Sequence, residues 1–173
     1  YLEINPMVNE LMRVLKKTQD GERYGYLDAG GELVIDCVYE EAYDIVNGYA
    51  VEGNQVDGQM RYGLIDNRGN LVLPIQYDDL GDYCDGLIRF GVYDGEGVMK
   101  YGYMDLSGTV RIQAVYPIAT DFDNGRALVS DGDSGQALQM IDTQGQTVIS
   151  GLPYADAATG IYENYILVAN YYE

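Results

Sequence analysis

The residues best suited to catalysis are carboxylates, and two sets fall in pairs, Glu40-Glu41 and Asp78-Asp79. Two carboxyls at one site can divide the work of general acid and general base. These pairs instead occupy the same place in consecutive copies of a repeated segment, so they read as a recurrent solvated turn. The chain contains no His, which removes the usual general base and the commonest metal ligand together. Asp131-Gly132-Asp133-Ser134-Gly135 spaces oxygen ligands as a calcium loop does, but it lacks a distal Glu and stands where other copies have a hairpin turn. Cys37 and Cys84 fall nine and eighteen residues after the Asp of their copies, which argues against a repeated disulfide or metal framework. They read as two small, partly buried side chains, with a single bridge as the alternative. The glycines follow no phosphate-cradling pattern of strand, loop and helix. No catalytic, cofactor-binding or metal-binding residue is therefore predicted, and a hydrolase built on an Asp pair ranks last among the functions considered.

Charge and aromatic content narrow the partners. Ten Lys and Arg stand against 28 Asp and Glu, a formal net charge of -18. Such a surface repels phosphate backbones and anionic membranes, so nucleic-acid binding is not expected. No apolar run approaches the roughly 20 residues of a membrane helix, so no membrane insertion is expected either. Hydrophobic residues make up 47% of the chain, enough to exclude intrinsic disorder. The 18 Tyr divide between two uses, filling strands with buried rings and offering rigid contact area with a polar tip.

The elements that would position these residues recur along the chain. Tyr24-Gly25-Tyr26-Leu27-Asp28, Tyr62-Gly63-Leu64-Ile65-Asp66 and Tyr101-Gly102-Tyr103-Met104-Asp105 share one pattern, and Leu138-Gln139-Met140-Ile141-Asp142 is a degraded fourth copy. The closing Asp steps by 38, 39 and 37 residues, the signature of stacked supersecondary units. Each Asp is followed three residues later by Gly31, Gly69, Gly108 or Gly145, the preference of a type I turn. A second turn follows at Asn47-Gly48, Asp85-Gly86 and Asn124-Gly125. A third recurs at Asp20-Gly21, Asp57-Gly58, Asp94-Gly95 and Asp131-Gly132.

Between the turns the residues alternate as half-buried strands do. Leu33 and Ile35, Leu71 and Leu73, Val110 and Ile112, and Thr147 and Ile149 form pairs predicted to point toward a core. Gly25, Gly63 and Gly102 sit inside strands, which marks a close backbone approach, expected here between neighbouring repeats. Residues 1–17 carry two signals. Asn5, Pro6 and the apolar Val8, Leu11, Met12 and Leu15 suit a short helix, whereas Met7 to Val14 align with Phe122 to Val129 as the back half of a preceding repeat. The repeat pattern is the preferred reading, and it predicts an array that continues upstream.

The prediction is an all-β chain: one tandem repeat array over residues 1–173, with a period of about 38 residues. Its parts are a partial repeat or short helix at 1–17, repeats at 24–52, 62–90 and 101–129, and a degraded C-terminal repeat at 138–168. Antiparallel β-meanders of three or four strands would stack as an open array, with a closed propeller-like ring as the alternative.

The motif, the following strand ending in Tyr39, Tyr77 or Tyr116, and the Asn-Gly or Asp-Gly turn together resemble the bacterial WG-containing, or KWG, repeat family. The resemblance covers residues 24–149. It departs in one respect: the family has Trp before the motif Gly, and Tyr24, Tyr62 and Tyr101 stand there in a chain without Trp. The resemblance implies a β-rich repeat array attached to other domains, with no common enzymatic activity. Two functions then fit: a non-catalytic module presenting an acidic, Tyr-rich surface to a protein or peptide, a basic one included, or a cell-surface carbohydrate-binding module. Low Lys content, many Tyr and an acidic surface suit an extracytoplasmic or cell-surface location, though nothing in the sequence requires export. Partner-binding residues and oligomeric state are not assigned by the sequence.

Overall fold

A computed structural model describes residues 1–130, 132, 137–153, 157–162 and 165–169. Every regular element among them is a β-strand. Sheet one comprises β1 (Glu3–Val8), β2 (Leu11–Thr18), β3 (Gly21–Asp28) and β4 (Leu33–Tyr39), and sheet two β5 (Glu41–Ala42), β6 (Tyr49–Val56), β7 (Gln59–Asp66) and β8 (Leu71–Tyr77). Sheet three comprises β9 (Asp79–Cys84), β10 (Leu87–Tyr93), β11 (Met99–Met104) and β12 (Val110–Tyr116), and sheet four β13 (Ile118–Ala119), β14 (Arg126–Ser130), β15 (Ala137–Asp142) and β16 (Thr147–Pro153). A hairpin of β17 (Ala157–Tyr162) and β18 (Tyr165–Ala169) follows. In each sheet the strands pair in chain order as an open antiparallel meander.

The chain divides into two compact units, Tyr1–Asp82 and Tyr83–Glu173. In the first, sheets one and two stack through Leu11, Tyr26, Ile35 and Tyr39 on one side and Ala42, Ile45, Ala50 and Ile65 on the other. In the second, Leu87, Tyr103 and Ile112 meet Phe122, Ala127, Val129 and Ile141 in the same way. The side-chain period of two explains the layering. Along β3, Tyr26 faces the next sheet, and the neighbouring Leu27 points to the opposite face.

The sheets are out of step with the sequence repeats, because a sheet begins about twenty-five residues before the motif Asp-x-x-Gly turn. The repeats at 24–52, 62–90 and 101–129 each take the second half of one sheet and the first half of the next. Residues 1–17 accordingly form β1 and most of β2, which complete sheet one, and the short-helix alternative is corrected. Asn9 and Glu10 adopt left-handed conformations (φ 48° and 70°), closing a two-residue hairpin that a continuous helix could not contain. Pro6 is accommodated because β1 is an edge strand whose register shifts between Ile4 and Met7.

The turns follow from residue type. Asn47-Gly48, Asp85-Gly86 and Asn124-Gly125 all have positive φ at both positions, the type I′ geometry that matches strand twist. Asp94-Gly95 departs from its expected class. Gly97, not Gly95, is left-handed, and Gly97 N–H donates to the Asp94 carbonyl, so this is another Asp-x-x-Gly turn.

Of the strand pairs predicted to face a core, Ile35, Leu73 and Ile112 are buried, but Leu33, Leu71 and Val110 are exposed. In the fourth sheet Thr147 and Ile149 are both exposed. β4, β8, β12 and β16 are sheet edges, and register shifts beside the motif Gly break the simple alternation.

Candidate functional site

The repeated motif lies on β3, β7 and β11, and its Gly permits the structure around it. A Cβ on Gly25 would stand 2.5 Å from the Ile35 carbonyl oxygen, and one on Gly102 would stand 2.5 Å from that of Ile112. On Gly63 it would come within 2.8 Å of Leu73 O and Ile75 Cγ1. The close approach is therefore to the next strand of the same sheet, at a register shift, and the expectation of contact between neighbouring repeats is corrected.

The Tyr after that Gly is buried. Tyr26 donates its hydroxyl hydrogen to Tyr43 O at 2.5 Å, and Tyr103 donates to Thr120 O at 2.7 Å, each seventeen residues ahead and just past the first strand of the following sheet. The second copy has Leu64 in this place. These ties escaped the sequence reading because the acceptors are backbone carbonyls, which leave no residue signature.

The Tyr before the Gly is half-buried in all three copies. The Arg13 guanidinium lies 5.9 Å from the Tyr24 ring centroid, and the Arg89 guanidinium 4.8 Å from that of Tyr101. Arg13 Nη1 donates to Ala42 O at 2.6 Å and its Nη2 lies 3.6 Å from Asp44, while Arg89 Nε donates to Asp121 at 3.0 Å. Arg13 and Arg89 each stand four residues after the first residue of a type I′ turn; in the second copy that place is Val51. Tyr62 packs instead near Tyr43, with centroids 6.5 Å apart and planes at 59°, and donates its hydroxyl hydrogen to Glu41 at 2.7 Å. Burial, then the bond to Glu41 and its charge, raises the Tyr62 phenol above its ordinary range. Tyr43 rises through burial, then the charges of Glu41 and Asp79. Tyr43 is 45% exposed.

The carboxylate pairs are not free turns, and the solvated reading is corrected. Glu40 pairs with Arg23 at 3.2 Å and accepts Gln55 N–H at 3.0 Å, and Asp78 pairs with Arg61. Glu41 serves Tyr62. Glu40 and Glu41 are thus turned to different partners, unlike two carboxyls sharing one proton.

Glu52 was missed by the sequence reading. It is fully buried, and five residues after its turn it fills the place held by Val14, Phe90 and Val129 in the other sheets. Its Oε1 lies 2.5 Å from the Tyr26 hydroxyl, and Oε2 has no partner among the described residues. Burial pushes its carboxyl up to about 8, against the opposing charge of Arg13. A lone acid where three sibling positions are apolar is the signal that would have found it.

Among the described residues no group of three or more His, Cys, Asp or Glu is arranged for a metal ion, and no helix is long and apolar enough to cross a membrane. The calcium-like stretch 131–135 lies outside the described residues except Gly132. Cys37 and Cys84 are half-buried and form no disulfide with each other. In the second unit a groove of about 440 Å³ runs between the turns at Asp85-Gly86 and Thr143-Gln144, beside Leu87 and Arg111. Arg111 Nη2 reaches Asp105 at 2.7 Å.

No curated protein matches the chain. The family described as WG containing repeat matches residues 24–51, 62–94 and 101–133, more than half of the chain. Those segments carry the pinched Gly, the flanking Tyr and the Asp-x-x-Gly turn, with Tyr24, Tyr62 and Tyr101 ahead of the Gly. The chain belongs to the WG-containing repeat family.

Proposed function

We propose that the chain is a non-catalytic interaction module that presents an acidic, Tyr-rich surface to a protein or peptide partner of basic character. The observation that carries this reading is the cluster of Tyr43, Tyr62 and Glu41, where an exposed ring adjoins a second ring and a carboxylate. Such a surface offers rigid contact area with little entropy to lose, and the net charge of -18 supplies long-range attraction for a basic partner. Lack of catalysis is supported by the absence of His from the sequence and by the separate commitments of Glu40, Glu41 and Asp78.

The test is a binding screen of the chain against basic, neutral and acidic peptide pools at low and physiological salt. Saturable binding of basic peptides that weakens with salt supports the reading, and indifference to salt removes its electrostatic part. Carbohydrate binding is the second reading, because an exposed Tyr ring beside a carboxylate can also stack on and hydrogen-bond a sugar. Hits on a glycan array with no saturable peptide would favour it.

A further inference from the structure

Two of the three motif tyrosines receive a guanidinium from their own chain, Tyr24 from Arg13 and Tyr101 from Arg89. The third, Tyr62, has Val51 where the arginine stands in the other two. Its surroundings nevertheless keep what a guanidinium recognises. Tyr62 and Tyr43 present two rings 6.5 Å apart at 59°, Glu41 is hydrogen-bonded to Tyr62, and the charge of Asp79 acts on Tyr43. On its inner side the Tyr62 ring rests on Gly53, where an added Cβ would come within 3.0 Å of it. That backing fixes the ring while Tyr43 is held open to solvent. A planar cation can stack on such rings while its N–H groups point at carboxylates, and it does so better than an ammonium because it is flat and weakly hydrated.

We propose that the Tyr43–Tyr62 pair, with Glu41, is a subsite for an arginine side chain of a partner peptide, which supplies from outside the guanidinium that the other two motif tyrosines take from within. This rests on the interaction reading above and gives it a residue-level ligand. Charge complementarity selects the occupant: the subsite carries the Glu41 carboxylate, and the chain as a whole is strongly acidic.

The test uses the whole chain with its tyrosines isotopically labelled, titrated with a short Gly/Ser peptide containing one Arg and with its Lys and citrulline counterparts. Citrulline keeps the shape and removes the charge. The Arg peptide is expected to shift the Tyr43 and Tyr62 ring signals and to bind about threefold to tenfold more tightly than either counterpart. Tyr43→Ala and Glu41→Gln, both changes at the surface cluster, are each expected to weaken it about threefold or more. Equal affinity for the three peptides, or an unchanged affinity in both variants, overturns the subsite. If basic peptides still bind in that case, the interaction reading stands without it. If no peptide of any charge binds, the interaction reading fails together with the subsite.

Discussion

The Glu52 carboxyl and the Tyr26 hydroxyl meet at 2.5 Å between the two sheets of the first unit, and that hydroxyl also lies 2.5 Å from Tyr43 O. A phenol has one proton, and a backbone carbonyl can only accept. Tyr103 settles the direction by analogy: it donates to Thr120 O with Val129 in place of Glu52. The Tyr26 proton therefore goes to Tyr43 O, and Glu52 holds its own proton and donates it to the Tyr26 oxygen. Burial acts consistently on both groups, raising the Glu52 carboxyl to about 8 and the Tyr26 phenol far above its usual value. The charged or titratable groups acting on this pair are Arg13, Tyr39 and Asp44.

The first prediction concerns pH. The folded carboxyl of Glu52 titrates near 8 and an unfolded Glu near 4.3, so between these values the folded state holds a proton that the unfolded state has lost. Its stabilising contribution is complete below about pH 4, declines as pH rises, and levels off above pH 8. Denaturant titrations from pH 4 to 9 should show wild type losing on the order of a few kcal/mol relative to Glu52→Gln, which cannot ionise. Parallel curves for the two proteins would mean that Glu52 is already ionised in the folded state.

The motif glycines make the second prediction. Gly102→Ala drives a Cβ into the Ile112 carbonyl and the Ala114 nitrogen, both backbone atoms that cannot swing away. It should cost about 1–3 kcal/mol. Gly95→Ala is the matched control, since its Cβ meets nothing within 4 Å and its φ is not left-handed, and it should be near neutral. Equal thermal shifts for the two would show that the β11–β12 pinch relaxes freely.

Gly102 also marks how far the sequence could be read. A Gly recurring inside a strand pattern betrays a tight approach, but the approaching strand is decided by register, which the sequence does not print. The Asp-x-x-Gly turns were legible because every bond is local: the Asp28 and Asp66 carboxylates each accept N–H groups two and four residues ahead. The short-helix alternative at Asn5-Pro6 was a local preference that sheet pairing overrides. The Glu52–Tyr26 and Arg13–Tyr24 contacts were not legible, because they join residues from different strands through side chains whose burial depends on sheet stacking.

A third prediction isolates one turn. Asp105 accepts Ser107 Oγ–H at 2.5 Å, the backbone N–H groups of Ser107 and Thr109, and the Arg111 side chain. The Ser107 bond first, then Arg111 and the two backbone bonds, hold its carboxyl down to about 2 against the opposing effect of desolvation. An unfolded Asp titrates near 3.9, so the sign is opposite to that of Glu52: stability from Asp105 is present above about pH 4 and is lost as pH falls toward 2. Asp105→Asn keeps one acceptor and cannot ionise, so its stability difference from wild type should shrink between pH 4 and pH 2. A difference that stays constant over that range would refute the assignment.

The two buried motif tyrosines supply the last prediction, through a double-mutant cycle. Tyr103→Phe removes one hydrogen bond to Thr120 O and should cost about 1 kcal/mol. Tyr26→Phe removes the equivalent bond to Tyr43 O and also strips Glu52 of its acceptor, leaving a buried carboxyl with neither oxygen satisfied. It should therefore cost more, by about 1–3 kcal/mol. With Glu52→Val in place, matching Val129 of the second unit, that excess should vanish and Tyr26→Phe should cost about what Tyr103→Phe does. If the excess persists in the Glu52→Val background, then Tyr26 owes its importance to packing in the core of the first unit, and the proton held between Glu52 and Tyr26 contributes nothing to its stability.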